Sequence, residues 1–410
     1  MWIADEVGES ALDELAELGF KHPESVSEQL KRLKLDSAIQ RLDEPGRARL
    51  NRLMPEIIMA CAAEAVPDAA LDGCLKVVEA IGRRSAYFAL LNENPAALKR
   101  LVGLVARSEF LANQIAVHPL LLDELLDPRV FSQAPTRADF AADLRVRIGD
   151  SDTDDAEQRL GGIRNFQQAA VFRTAVADLS GIMPLMHVSD RLTDIGELVV
   201  QAALELSLGE MLAKHGKPMC DDGSGLREAS FGVLGYGKLG GFELGYGSDL
   251  ALVFLPDSAG EEQQTDGEHS LENTVFFARL TQRLINMLTM RTISGILYEV
   301  DVRLRPNGNS GQMVSSLEAF DSYQHNDAWT WEHQSLLRSR LIAGPDPIRT
   351  KFASLRDKAL TEYVHFDDLR ADVLKMRERM HVELDKSTAT EMHIKHGKGG
   401  VVDIEFLVQY

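Results

Sequence analysis

The sequence predicts an α+β protein, in which a helical N-terminal domain precedes a small mixed β-sheet with flanking helices. Residues 1–225 are rich in Ala, Leu, Glu and Arg, and their apolar residues recur at helical spacing. Near His215 the chain becomes polar and rich in glycine. Three strand-like apolar runs then follow, over 230–236, 250–255 and 296–304.

The first helices are indicated by an apolar stripe with a period near 3.6. Leu71, Leu75, Val78, Ile81 and Phe88 form one such stripe, with charged residues between them. The same spacing within 271–288 predicts a helix between the second and third strands, and 317–340 and 367–384 also have helical patterns. These elements alternate with the strands, so they are expected to flank the sheet.

A chain of 410 residues is too long for one simple core, so more than one domain is expected. The pattern divides it into a helical domain at 1–225, a mixed domain at 226–345 and a helical segment at 346–410. The sequence ends at Tyr410 inside an apolar run.

Charge and composition exclude several classes of function. The net charge is -19, so the chain has no broad basic surface for nucleic acid and is repelled by anionic membranes. Three scattered cysteines without CxxC spacing indicate neither a disulfide framework nor a zinc site. No secretory leader or membrane-spanning run is evident, and a cytoplasmic location is expected.

Phe231 to Asp257 is the most informative stretch, and two familiar motifs match parts of it without fitting. Gly235, Gly237 and Gly240 spell GxGxxG, but the next strand follows too soon for the crossover helix of a dinucleotide-binding unit. A Walker A frame is also present, but Leu239 stands where Ser or Thr would bind magnesium. We reject both interpretations.

A third interpretation fits the spacing. A strand that ends in a glycine-rich turn can present backbone N–H groups to phosphate oxygens. Ser248 and Asp249 follow at the start of the next strand, and a later strand carries Asp301 with Arg303 and Arg305. Carboxylates on neighbouring strands can hold divalent cations that stabilise attack on a nucleotide α-phosphate. The pattern therefore predicts a metal-dependent nucleotidyltransferase.

Several longer motifs extend this prediction to a family. GYGKLGG, ELGYGSDL, SGILYEVDVRLRP, GNSG, AWTWEHQ and GKGGVVDIEF occur in one order. Upstream lie RSAYFALLNENP and HPLLLDELLD. Together they resemble the adenylylating half of bacterial glutamine synthetase adenylyltransferase, with the helical region that precedes it. The resemblance covers nearly the whole chain. It implies a regulatory or linker role for the helical domain at 1–225, a nucleotidyltransferase catalytic core at 226–345, and a helical segment at 346–410 that is expected to be truncated.

The resemblance also implies an activity, cofactors and partners. It implies transfer of AMP from ATP to a tyrosine of glutamine synthetase, with Mg²⁺, under control of the PII signal protein and glutamine. Asp249 matches the first metal-binding carboxylate and Asp301 the carboxylate on the later strand. The positions that match the phosphate loop are Gly235, Gly237, Lys238, Gly240, Gly241 and Ser248.

One position departs from the family pattern. Residue 251, where a second aspartate is expected, is Ala251. An alanine cannot bind a metal, so we expect ATP binding but very slow AMP transfer.

For most of these residues a structural role competes with the functional one. Asp249 could cap a turn, and Lys238 could simply be solvated. Asp301 could serve only as the partner of Arg303 or Arg305, whose guanidinium groups suit phosphate and carboxylate equally. Trp329 and Trp331 could stack on adenine, although a helix core is the commoner place for paired tryptophans.

Three functions are compatible with these patterns. The first is an adenylyltransferase with residual activity. The second is a catalytically silent module that binds glutamine synthetase or PII, which Ala251 favours. The third is phosphorolytic removal of AMP from glutamine synthetase, which the wording of the motifs disfavours.

Overall fold

The computed structural model describes residues 2, 9–149, 156–223, 225–292, 295–363 and 369–410. The chain divides into two compact units. One comprises residues 1–150 and 164–191, and the other comprises 151–163 and 192–410. Two long helices each contribute residues to both units.

The first unit is built from helices. Pro23, Pro67 and Pro95 each begin a helix, where a missing N–H costs no hydrogen bond. The buried core includes Leu53 and Val78. The helices are α1 (Glu9–Glu17), α2 (Pro23–Leu35), α3 (Ser37–Gln40), α4 (Glu44–Ala62), α5 (Pro67–Ile81), α6 (Ser85–Glu93), α7 (Pro95–Arg107), α8 (Glu109–Val117) and α9 (Arg137–Ile148), with 3-10 turns at Pro119–Leu126 and Pro128–Phe131, and then the shared helices α10 (Ala156–Leu179) and α11 (Leu185–His215).

The second unit combines strands and helices, which confirms the α+β prediction. Its elements after α11 are β1 (Pro218–Asp221), β2 (Leu226–Glu228), β3 (Phe231–Tyr236), α12 (Gly237–Gly240), β4 (Leu250–Pro256), β5 (Glu261–Thr265), α13 (Asn273–Thr289), β6 (Val300–Asp301), α14 (Leu317–Asn326), α15 (Thr330–Leu336), β7 (Arg340–Ala343), α16 (Asp346–Thr361), α17 (Leu369–Leu384) and α18 (Val401–Gln409).

The described strands form two sheets. The smaller has the order β2-β1-β5, and the larger has the order β6-β4-β3-β7. In the larger sheet β3 is antiparallel to β4 and β7, and β4 is parallel to β6. The mixed sheet predicted from the sequence is therefore present.

Each face of the larger sheet has its own apolar core. On one face Leu234, Tyr236 and Val253 pack with Phe320 of α14 and Phe352 of α16, and Ala251 lies against the same cluster. On the opposite face Phe231 stacks on Phe277 of α13, with ring centroids 5.6 Å apart. The period of two along β3 and β4 assigns alternate residues to these faces.

Two of the predicted elements are wrong in extent. The strand expected over 296–304 is reduced to Val300 and Asp301, because the chain leaves the sheet in a turn directly after Asp301. The helix expected over 317–340 is two helices, α14 and α15, followed by strand β7. The helix expected over 367–384 begins at Leu369 in the structure, and position 367 lies outside the described residues.

Candidate active site

The glycine-rich segment after β3 is a tight turn with little room for side chains. Gly237 has a φ of +55° and faces open space, which suits a residue without a side chain. A Cβ at Gly240 would lie 2.0 Å from the carbonyl oxygen of Arg338, so only glycine fits there. Gly235 lies within β3 and Gly241 ends the turn, while the side chain of Lys238 is exposed. Leu239 and Gly240 are buried, so the turn reaches the surface at Gly237 and at the exposed side chain of Lys238.

An arginine that was not recognised from the sequence holds this turn. Arg340 of β7 donates to the carbonyl oxygens of Leu239 and Gly240, both at 3.1 Å. Its guanidinium lies 3.8 Å from the ring centroid of Phe242 and pairs with Glu197 of α11. No sequence pattern predicts this role, because Arg340 stands at the end of the helix predicted over 317–340.

Ser248 and Asp249 lie at the entrance to β4. The hydroxyl oxygen of Ser248 accepts a hydrogen bond of 3.0 Å from the N–H of Gly245, so this side chain closes its own turn. Asp249 is exposed and immediately precedes the strand. Its carboxylate is therefore open to solvent at the end of the sheet that β3 and the glycine turn also reach.

The parallel pairing of β4 with β6 aligns the acidic positions. Ala251 is the direct partner of Asp301 in the register, and Leu250 is the partner of Val300. Because positions 249 and 251 lie on one face of β4, an aspartate at 251 would stand between Asp249 and Asp301. The structure thus brings the three positions together, and the central one has no carboxylate.

Asp301 is paired with Arg303. The guanidinium donates to both carboxylate oxygens, with Nε–Oδ1 at 2.9 Å and Nη2–Oδ2 at 2.6 Å, and the N–H of Arg303 adds a third bond of 2.9 Å. The hydrogen bonds from Arg303 are the main reason why the pKa of Asp301 lies below its ordinary value. Burial of the carboxylate acts in the opposite direction. Arg303 itself is exposed, and its pKa is raised chiefly by Asp301, with a contribution from Asp249.

Arg305 has a different environment from Arg303. Its guanidinium is buried and donates to the carbonyl oxygens of Val302 at 2.8 Å, Asn309 at 3.3 Å and Gly311 at 3.4 Å. These bonds hold the turn that follows β6. The structure therefore places Arg305 beneath the turn, whereas Arg303 lies on the surface beside the acidic positions.

The donors at the end of the sheet can be compared with what a metal requires. Among the residues that the structure describes, no three His, Cys, Asp or Glu side chains are grouped closely enough to hold a metal ion. Asp249 and Asp301 supply hard oxygen ligands of the kind that Mg²⁺ takes, and Mg²⁺ is usually bound by one or two carboxylates together with substrate phosphates. The two carboxylates present fit one such ion, and Ala251 beside them supplies no carboxylate.

The two tryptophans of AWTWEHQ are exposed, so the expectation that paired tryptophans lie in a helix core is wrong for this chain. The exposed fraction is 67% for Trp329 and 38% for Trp331. The two residues stand at the N-terminal end of α15. Exposed tryptophans are unusual, since burial of so large an apolar surface is favourable.

No helix in the described parts of the chain is long and apolar enough to cross a membrane.

Comparison with known proteins agrees with the resemblance that the sequence motifs show. A family model described as glutamate-ammonia ligase adenylyltransferase matches residues 98–355. The chain is 45% identical over 410 residues to the bifunctional glutamine synthetase adenylyltransferase/adenylyl-removing enzyme of Thioalkalivibrio sulfidiphilus. It is 42% identical to the proteins of that name from Nitrosococcus oceani and Hahella chejuensis. All of this chain is covered in these matches, but it spans only 42% to 43% of the relatives' length.

Proposed function

This chain belongs to the glutamate-ammonia ligase adenylyltransferase family, and on that premise we propose that it transfers AMP from ATP to a tyrosine of glutamine synthetase. The observation that carries the proposal is the strand register. It sets position 251 beside Asp301 and next to Asp249, at the end of the sheet where the glycine turn also lies. A polyphosphate cradle beside acidic strand ends is the arrangement that nucleotidyl transfer requires.

In this proposal Asp249 and Asp301 hold Mg²⁺. When bound, the ion would supply charge stabilisation for the α-phosphate and the departing pyrophosphate. Backbone N–H groups of the turn at Gly237–Gly240 bind phosphate oxygens, while the N–H of Gly241 closes the turn on the carbonyl oxygen of Gly237. Lys238 contributes a positive charge at the surface of that turn. Ser248 keeps the approach to β4 in shape through its bond with Gly245.

The two arginines after Asp301 have separate roles in this proposal. Arg303 is exposed and can exchange its partner Asp301 for a phosphate group of ATP, since a guanidinium fork binds either anion. Arg305 keeps the turn after β6 rigid from below, through its three carbonyl contacts. The proposed contribution of Arg305 to nucleotide binding is therefore made through the backbone that it holds.

The acceptor is a tyrosine hydroxyl, whose oxygen attacks the α-phosphorus while the bond to the pyrophosphate breaks. The single hydroxyl proton would pass to one carboxylate of this acidic group, and an aspartate at position 251 would be the one nearest its centre. Ala251 removes both a ligand and a proton acceptor. Transfer by this chain is therefore expected to be slow while ATP still binds.

The remaining partners follow from the same premise. We propose that the PII signal protein is a partner of this chain and that its location is cytoplasmic. The net charge of -19 is consistent with protein and nucleotide partners and gives no surface for nucleic acid.

One observation favours a second function. Ala251 leaves the acidic group incomplete, which suits a silent module that binds glutamine synthetase or PII without transfer. This alternative keeps the fold and the partners of the first proposal. It differs in one measurable quantity, the rate of AMP transfer after the missing carboxylate is restored.

The test is incorporation of labelled AMP from ATP into purified glutamine synthetase. It compares this chain with Ala251→Asp and with Ala251→Asn, which adds similar bulk without a charge. Strong magnesium-dependent labelling by Ala251→Asp alone supports the adenylyltransferase. No labelling by any variant, together with binding of glutamine synthetase, supports the silent module. Phosphate-dependent release of ADP from adenylylated glutamine synthetase would instead indicate the removing reaction.

A further inference from the structure

A cavity of about 790 Å³ opens next to the turn that follows the acidic strand β6. Asn307 and Gly308 of that turn form one side of it. Trp329 and Trp331 form a second side and α17 forms a third. Its volume is in the range of cavities that hold small ligands.

The aromatic side of the cavity is fixed in place. Glu332 is buried, and its carboxylate accepts hydrogen bonds from the N–H of Trp329 at 2.9 Å and from the hydroxyl of Tyr323 at 2.8 Å and 3.0 Å. Burial, followed by the bond to Glu332, raises the pKa of Tyr323 to about 12, against an opposing bond to the backbone of Asn307. Tyr323 therefore ties α14 to the first turn of α15, and it lines the cavity together with Asn307.

The side formed by α17 combines apolar and cationic groups. Met376 and Met380 are half-buried and four residues apart, so they lie on one face of the helix. Lys375 and Arg379 are exposed beside them and make no ion pair within the described residues. The nearby carboxylates are engaged, since Asp372 accepts from the hydroxyl of Thr330 at 3.1 Å and Glu332 is bonded as described above.

The cavity is on the same face of the sheet as the acidic positions. Ala251 pairs with Tyr236 across β3 and β4, and both side chains lie on the face covered by α14 and α15. Those two helices carry Tyr323 and Trp331. A ligand that enters the cavity is therefore beside the turn that leads out of Asp301, on the side to which residue 251 points.

We propose that this cavity binds the adenine base of ATP, with Trp329 and Trp331 as stacking surfaces and Met376 and Met380 as the opposite wall. The inference rests on the proposed function, because it assigns the base of the same nucleotide whose phosphates lie at the glycine turn. Bases stack on aromatic side chains through their π-faces. Lys375 and Arg379 favour an anionic nucleotide over a neutral nucleoside.

A polypeptide segment fits these features less well than a nucleotide does. Stable protein contacts bury a surface of about 800 Å² per partner that is spread over many residues. Here the aromatic and thioether groups converge on one cavity beside the turn after β6. An acidic peptide with a tyrosine is therefore used as a competing ligand in the test.

Tryptophan emission reports on this cavity directly. The sequence has three tryptophans, of which Trp329 and Trp331 line the cavity, while Trp2 is buried in the other unit and donates to Asn51. In a Trp2→Phe background the emission therefore comes from the cavity alone. Titration with ATP and Mg²⁺ is expected to quench it to saturation, and tripolyphosphate with Mg²⁺ is expected to leave it unchanged.

Calorimetry on variants of the full chain completes the test. Trp329→Leu and Trp331→Leu are each expected to raise the Kd for ATP about tenfold and to leave the Kd for tripolyphosphate unchanged. The matched control is Leu374→Ala on α17, which is exposed and outside the cavity and should change neither. Circular dichroism establishes that each variant is folded.

Three results would overturn the assignment. The first is ATP binding without a change in emission, the second is equal quenching by tripolyphosphate, and the third is quenching by the acidic tyrosine peptide but not by ATP. The proposed function and the assignment of the cavity can fail independently of each other. Quenching by ATP without AMP transfer from any variant preserves the cavity and removes the function. Transfer by Ala251→Asp with a KM for ATP that is unaffected by either tryptophan substitution preserves the function and removes the cavity.

Discussion

The two units of this chain each contain a cluster of charged residues, and the clusters differ in how completely they are paired. In the helical unit, Glu124 and Asp143 each contact both Arg147 and Arg173, at distances of 2.6 Å to 3.1 Å. At the end of the larger sheet, Asp301 contacts Arg303 while the nearby Asp249 is exposed.

This difference separates a structural cluster from one suited to ligand binding. Two cations and two carboxylates in the helical unit leave no net charge, and their side chains are 12% to 27% exposed. At the end of the sheet the side chain of Asp301 is 20% exposed and is paired with Arg303, whereas Asp249 is exposed and makes no ion pair among the described residues. A carboxylate that lacks a cationic partner can attract a metal ion, so the incompletely paired cluster is the one to which we assign chemistry.

The largest effect is expected from removal of a metal-binding carboxylate in the repaired site. In an Ala251→Asp background, Asp249→Asn should lower magnesium-dependent AMP transfer by at least about a hundredfold, because a direct ligand matters more than a supporting residue does. The free energy of unfolding should change by less than about 0.5 kcal/mol, since Asp249 is exposed. Unchanged labelling of glutamine synthetase would contradict the metal site.

A change in the paired cluster of the helical unit should lower the free energy of unfolding. Arg173→Met leaves Glu124 and Asp143 short of a cation in a half-buried position, and should lower the free energy of unfolding by about 2 kcal/mol. Urea denaturation measures the change. Arg129→Met is the matched control, because Arg129 pairs with Asp127 at the surface and should give no measurable loss. Equal losses in both variants would show that the network has no special role.

A smaller effect is expected at the glycine turn. Lys238→Ala should raise the Kd for ATP about fivefold, as one solvent-exposed charge contact is lost. Lys358→Ala, on the exposed side of α16, serves as the control and should bind ATP like the parent chain. Calorimetry gives both constants, and an unchanged Kd in Lys238→Ala would make Lys238 a solvated surface residue.

The smallest effect concerns pH and the pair formed by Asp301 and Arg303. Because Arg303 lowers the pKa of Asp301 in the folded chain, the stabilisation is present above the ordinary carboxyl pKa of about 3.9. It is lost as the pH falls through the lowered value. Arg303→Gln should therefore cost less than about 1 kcal/mol at pH 7, since Arg303 is exposed, and this difference should shrink in acid. Denaturation curves at several pH values measure it, and a difference that grows in acid would be inconsistent with the pair.

Much of the second unit could be predicted from the sequence. The elements that were missed have features that explain why. Strands β3 and β4 were recognised because their apolar runs are buried along almost their whole length. Strand β5, with the sequence EEQQT, was missed because it is polar and mostly exposed. Strand β7 was missed because four residues are too few for a period to be seen.

Only part of the candidate site could be predicted from the sequence. Motif spacing located Asp249, Asp301 and the glycine turn, because those residues are local in sequence. The supports come from distant parts of the chain. Arg340 reaches the turn across 100 residues, and α17 meets α15 to complete the tryptophan cavity. Only the tertiary structure shows such contacts, so the cavity and its cations could not be inferred from spacing.

The end of the larger sheet is, in our proposal, a metal site with one carboxylate missing. Binding of Mn²⁺, used in place of Mg²⁺ because it is paramagnetic, can be measured by electron paramagnetic resonance in this chain, in Ala251→Asp and in Ala251→Asn. We expect Ala251→Asp to bind Mn²⁺ at least about tenfold more tightly than the other two chains do. Equal affinity in all three would contradict the claim.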